Sequence, residues 1–191
     1  MKQRMQDTQL VNDETQIIQR AISGEKQAFG LLYEKYSNAI LRYLFFRLAS
    51  HEEAEDMTES VFIKAWEALP SLKHLKKDLN FRAWLYRIAH NSLVDFLRAH
   101  KEELSIDAIG ELPSRTLIPE KATEQIESKA ELTSAIRQLD EISIQVIMNC
   151  FIAGLDHRET AQILGLGEGN IRVIQFRALK KLKEILGDTH E

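Results

Sequence analysis

Between Phe29 and Leu44 the apolar side chains Phe29, Leu32, Tyr33, Tyr36, Ile40, Tyr43 and Leu44 return at steps of three and four, the spacing of one helix face. The same period governs Ala54, Met57, Val61, Ala65 and Leu69, and again Trp84, Leu85, Ile88, Ala89, Leu93, Phe96 and Leu97. No β-branched run alternates with polar residues, and only three prolines and eight glycines interrupt the 191 residues. An all-α chain is therefore expected. One helix is read from Asp13 as N-cap to Ile22, with Gly24 as its stop, and a second from about Glu25 to Leu48. A third follows Ser50, which stands three residues before Glu53 in a capping-box pattern, and ends at Pro70. Ser71 to Asn80 reads as a lysine-rich loop, and Phe81 to about His100 as a fourth helix that completes a bundle.

Glu102 to roughly Ala122 breaks this pattern, being acidic, without a sustained period, and punctuated by Gly110, Pro113 and Pro119. It reads as a flexible linker. Shorter helices follow, at about Glu124 to Leu139, Ser143 to Ala153, His157 to Leu164 and Gly169 to Leu186. The expected layout is two small helical domains, residues 1–101 and 124–191, joined by a linker over 102–123.

Several function classes are excluded at this level. Cys150 stands alone, which leaves no intramolecular disulfide or cysteine zinc site, and within Val146 to Ile152 it reads as a small buried hydrophobe. The histidines His51, His74, His90, His100, His157 and His190 share no ligand spacing. The acids between Glu52 and Glu59 spread around an exposed arc instead of converging inside a bundle, as two-metal chemistry requires. With no nucleophile elbow and no phosphate-cradling glycine loop, neither an enzyme nor a metal or cofactor is expected. No apolar stretch approaches the roughly 20 residues of a membrane span, and Met1 to Asp7 is polar, so a cytoplasmic protein without membrane insertion is expected.

The net charge of −4 hides a partition by sign. Glu52, Glu53, Glu55, Asp56, Glu59 and Glu67 face only Lys64 in their segment. Lys73, Lys76, Lys77, Arg82, Arg87, Arg98 and Lys101 then outweigh Asp78 and Asp95. Between Gly169 and Lys183 there are Arg172, Arg177, Lys180, Lys181 and Lys183 and no acid. Such local fields suit DNA at two patches and a different partner at the acidic one. The segment His157 to Arg172 strengthens the case. Ala161 is small enough for a second helix to cross closely, Gly165 permits a left-handed turn, and Leu166 and Ile171 can plug the angle between the helices, with Ile163 and Leu164 closing the core. This is a helix-turn-helix pattern. Asn170, Arg172, Val173 and Phe176 would then face a major groove, while Arg177, Lys180 and Lys181 suit phosphates.

Glu53 to Trp66 resembles the region 2.2 helix of sigma factors, Phe81 to Asn91 is similar to their regions 2.3 and 2.4, and Arg172 to Ala178 resembles the recognition helix of their region 4. The resemblance spans about Asp13 to Leu186 and is to the extracytoplasmic-function group, which keeps only domains 2 and 4. It implies a factor that binds core RNA polymerase and selects promoters. Glu55, Asp56, Glu59, Phe62 and Trp66 would dock on the coiled coil of the largest catalytic subunit. The loop from Ser71 to Asn80 would enclose a flipped base of the melted −10 element and Asn91 would help read it, with Lys73, Lys76, Lys77, Asn80, Arg82, Arg87 and Arg98 along the DNA. Trp84 reads as core because its spacing to Ile88 is that of a buried face. Asn170, Arg172, Val173, Phe176, Arg177, Lys180 and Lys181 would bind the −35 duplex. Members of the group are often held by an anti-sigma factor.

Some positions depart from the family pattern. Asp140 follows Leu139 where a proline is usual, Asn170 replaces the usual threonine and is expected to cap its helix, and Val173 and Ile174 replace a small polar and a basic residue. The competing reading is a two-component or quorum-type regulator with a similar helix-turn-helix, whose front half would need a sheet. Far-UV circular dichroism should show a helical spectrum without appreciable β content; a strong β signal would favour that regulator.

Overall fold

The computed structural model describes residues 14–48, 50–75, 79–106 and 131–187. Helix α1 occupies residues 14–22, α2 Lys26–Leu48, α3 His51–Ala68 and α4 Phe81–Ile106. Residues 131–137 form α5, followed by α6 at Glu141–Ile147, α7 at His157–Leu164 and α8 at Glu168–Gly187. There is no strand among the described residues, and no helix among them is long and apolar enough to cross a membrane. They fall into two compact units, one of α1, α2 to Leu44, α3 and α4, the other containing α5 to α8.

In the first unit α1 stops where expected. Gly24 takes φ +96°, and the Gly24 and Glu25 amides donate to the carbonyls of Ala21 and Arg20, satisfying the last turn. The buried sets on α2 (Leu32, Tyr36, Ile40, Tyr43, Leu44), α3 (Met57, Val61, Phe62) and α4 (Phe81, Trp84, Leu85, Tyr86, Leu93) meet in one core. Trp84 is core, its ring 5.6 Å from that of Phe81. Tyr43 and Tyr86 meet edge to face, and the Tyr43 hydroxyl lies 3.4 Å from Nδ1 of buried His90.

Two boundaries in the first unit differ from the sequence reading. After Ala68 the chain does not open into a loop but tightens into a 3-10 helix, Leu69–Leu75. Pro70 has no amide to continue the α ladder, and the Ser71 hydroxyl instead donates to the Ala68 carbonyl at 2.6 Å. Helix α4 starts at Phe81, capped by Asn80 Oδ1, which accepts from the Ala83 amide at 3.0 Å. It runs past His100 to Ile106. Losing the apolar period does not end a helix whose next residues, Lys101, Glu102, Glu103 and Leu104, are good helix formers. The expected cap at Asp13, Lys76 and Lys77 of the basic segment, and the expected linker from residue 107 onward lie outside the described residues.

In the second unit Asp140 starts α6 two residues earlier than expected. Its carboxylate accepts from the Ser143 amide at 3.0 Å and the Ser143 hydroxyl at 2.8 Å, and these bonds hold its pKa below the ordinary value. A side-chain cap thus does the work expected of a proline at that point. Helix α6 widens into a π-helical turn at Met148–Ile152, then reaches α7 through Asp156. Asp156 and Glu159 form a reciprocal capping box, with bonds of 2.7 Å in both directions. One core joins Ala135, Ile136, Leu139 and Ile147 to Ala178 and Leu182 of α8. Another joins Val146, Ala161 and Ile171, with half-buried Cys150, Leu164, Leu166 and Ile174 around it.

The attachment of α1 is electrostatic as well as apolar. The Tyr36 hydroxyl donates to the Glu14 carboxylate, and Lys35 Nζ lies 2.7 Å from it. Burial opposes ionisation of Glu14, but the bonds from Lys35 and Tyr36 and the charges of Lys35 and Arg82 outweigh it, so the carboxyl sits below its ordinary value. Its stabilisation is therefore complete above the ordinary carboxylate range and is lost as pH falls through the depressed folded value. Glu14→Gln should cost about 1 kcal/mol at neutral pH and flatten the acid limb of stability against pH, read by urea titration. Asp140→Ala should cost about 1 kcal/mol in the same assay.

Candidate functional site

The second unit presents α8 as an outward ridge. Three constraints fix its rotation: Ile171, Ala178 and Leu182 are buried, Ala161 lets α7 approach, and Gly165 turns the chain at φ +66°. The Cβ-free turn is needed for backbone shape and not for space, since nothing lies within 4 Å of where a Cβ would stand. Arg172, Val173, Phe176, Arg177, Lys180 and Lys181 are consequently all exposed, Phe176 at 71% and Val173 at 48%. Arg172 is ion-paired with Glu168 one turn earlier.

Three details of this ridge differ from, or were invisible to, the sequence reading. Asn170 is exposed but does not cap: the amides of Asn170 and Ile171 both donate to the Gly167 carbonyl, so α8 begins at Glu168 and Asn170 lies inside its first turn. The two residues that break the family pattern separate, Val173 outward and Ile174 inward against the Val146, Ala161 and Ile171 core. His157 Nε2 lies 2.6 Å from Gln175 Oε1 and ties the start of α7 to the middle of α8. No sequence signal announces that bond, because it depends on how two helices cross.

The first unit carries two charged faces. On α4, Arg87, Asn91 and Arg98 are exposed and, at spacings of four and seven, lie on one line. Arg82 is half-buried on another side of the helix, where its charge acts on Glu14, Tyr36 and Tyr86. Lys73 is exposed on the 3-10 turn and, with Gln16, Gln19, Arg20 and Ser23 of the α1 end, lines an open recess of about 600 Å³. No local pattern marks this recess, because it forms between segments about fifty residues apart in the chain.

The second face lies on α2 and α3. Glu55, Asp56 and Glu59 are exposed and line a recess of about 370 Å³ with Tyr33, Ser37, Asn38 and Leu41. Ile63, 59% exposed, continues the stripe of Glu52, Asp56 and Glu59 at helical spacing. Phe62, expected at this surface, is only 3% exposed. It meets Tyr33 at 4.8 Å and Phe29 at 6.2 Å between ring centroids, and Trp66 is half-buried against Phe29 at 5.0 Å. Tyr33, expected in the core, is 40% exposed and supplies the aromatic at the acidic recess. The exchange is set by the packing of α2 on α3, which turns the Phe62 ring inward and leaves Tyr33 at the recess. No group of acidic, cysteine or histidine side chains that could hold a metal ion occurs among the described residues. These placements separate the two rings by experiment: Phe62→Ala should cost about 3–5 kcal/mol of stability, whereas Phe176→Ala should stay within about 0.5 kcal/mol, both read by thermal unfolding.

Comparison with known proteins matches this arrangement. The Sigma-70 region 2 family matches residues 32–103, and Sigma-70, region 4 matches residues 135–184. The chain is 32% identical to the ECF RNA polymerase sigma factor BldN of Streptomyces coelicolor across 91% of its own length, and spans 66% of that relative. It is 28% identical to the ECF RNA polymerase sigma factor SigM of Bacillus subtilis, over 81% of this chain and 92% of that one. Among solved structures, CnrH in complex with the cytosolic domain of CnrY is similar at a TM-score of 0.69 and 26% identity, covering 92% of this chain and 97% of CnrH. With region 2 on the first unit and region 4 on the second, in that order, the chain belongs to the sigma-70 family of RNA polymerase sigma factors, in the extracytoplasmic-function group.

Proposed function

We propose that this chain gives core RNA polymerase its promoter specificity in the cytoplasm, binding the enzyme and DNA and leaving catalysis to the polymerase. The observation that carries this reading is the division of exposed charge: an acidic recess on α2 and α3 of the region 2 unit, and an uncovered basic ridge on α8 of the region 4 unit. Glu55, Asp56 and Glu59, with half-buried Trp66 and exposed Tyr33, form the docking surface for the coiled coil of the largest catalytic subunit. Charge with aromatic area suits such an anchor. Phe62 contributes by holding Tyr33 in place from beneath.

Melting a duplex is offset when unstacked bases find partners. Asn91, flanked on its line by Arg87 and Arg98, reads a base of the opened −10 element while the arginines hold phosphates. Lys73, Lys76 and Lys77 are read from the sequence as further phosphate contacts, Asn80 caps the start of α4, and Arg82 adds positive charge near Glu14 of α1. On α8, Arg172, Val173 and Phe176 face the bases of the −35 duplex, and Arg177, Lys180 and Lys181 face its backbone, with Asn170 at the leading end. Residues 102–123 contain the connection between the two domains, 1–101 and 124–191. CnrH is bound in its solved structure by the cytosolic domain of CnrY, and we extend to this chain a protein partner, an anti-sigma factor, that masks these surfaces until a signal releases them.

Reconstituted with bacterial core enzyme on genomic templates, the chain should initiate transcription from selected promoters; absence of any promoter-selective start would overturn the reading. Asn91→Ala should reduce open-complex formation, read by permanganate footprinting, with little change in core binding. Arg172→Ala should weaken −35 duplex binding by about 1–3 kcal/mol.

A further inference from the structure

We infer that Val173 and Phe176 form a methyl-reading edge, so that the duplex element bound by α8 is recognised in part through the C5-methyl groups of thymines. This rests on the reading of α8 as the duplex-binding helix. Val173 and Phe176 are three residues apart, exposed at 48% and 71%, and lie on the face that also carries Arg172 and Lys180. Neither side chain has a hydrogen-bond donor or acceptor, so neither can pair with the purine N7 and O6 or with the exocyclic amines and carbonyls of the major groove. Among the four bases only thymine offers an apolar group there, its methyl.

The occupant of this apolar edge is fixed by what surrounds it. Arg172, Arg177, Lys180, Lys181 and Lys183 commit the ridge to a polyanion. The edge is not overflow from the protein core either. The adjacent Ile174 turns inward and packs against Val146, Ala161 and Ile171, which meets the core's need and leaves Val173 outside.

The test uses the full chain assembled with core RNA polymerase. Duplexes enriched by binding from a random pool are synthesised twice, with thymidine or with deoxyuridine, which lacks only the methyl, and their affinities are compared at fixed salt. Affinity should fall about fourfold for each contacted methyl removed, on the order of one buried carbon. Val173→Ser and Phe176→Ala, both at exposed positions that leave the fold intact, should bind the thymidine duplex more weakly and no longer distinguish it from the deoxyuridine one. Equal affinity for the two duplexes, a selected element without thymine, or variants that keep the full difference would each overturn the inference while leaving duplex binding in place. If no sequence is enriched, the reading of α8 as a specific duplex-binding helix falls, and this inference with it.

Discussion

The close crossing of α7 and α8 is the constraint on which the second unit depends. Ala161 is buried with Val146 and Ile171 in one core, and the left-handed backbone at Gly165 turns the chain from α7 toward α8 within a few residues. Once Ile171, Ala178 and Leu182 are committed inward, helical geometry leaves Arg172, Val173 and Phe176 only the outward face. The chemistry of the ridge thus follows from small residues that never touch it. The capping box of Asp156 and Glu159 fixes where α7 begins, and so the length available for the crossing.

The same economy holds in the first unit, where burial of one face assigns the charge on the other. Met57, Val61 and Ala65 turn the inner side of α3 toward the bundle, and Glu55, Asp56 and Glu59 are left on the water side. Two of the buried tyrosines have polar partners. Tyr36 reaches Glu14 and Tyr43 approaches His90, so the aromatic seam also specifies which helices meet.

What could be read from residues alone was whatever depends on near neighbours. The periods of α2, α3 and α4, the turn at Gly165, the stop at Gly24 and the inward Ala161 are all local, and the structure places them as the sequence suggests. The exchange of Phe62 and Tyr33 was not legible, because both fall near the edge of an apolar stripe and only the packing of α2 on α3 decides between them. Ile174 and Val173 were likewise equivalent on paper, and the core beneath α8 separated them. The overrun of α4 to Ile106 is not legible because a run of good helix formers can continue a helix without an apolar period to mark it. Asn170 looked like a cap, but the Gly167 carbonyl already serves the first amides of α8.

Glu168 stands at the leading end of a ridge rich in positive charge, with its carboxylate joined to Arg172. Four residues apart on one face, the two side chains offset each other's charge and lend the first turn of α8 a modest stabilisation. The pair also holds the guanidinium in one orientation before any contact is made, which lowers the ordering cost of using it. A single acid in this place therefore decides how the first turn of the helix presents its arginine.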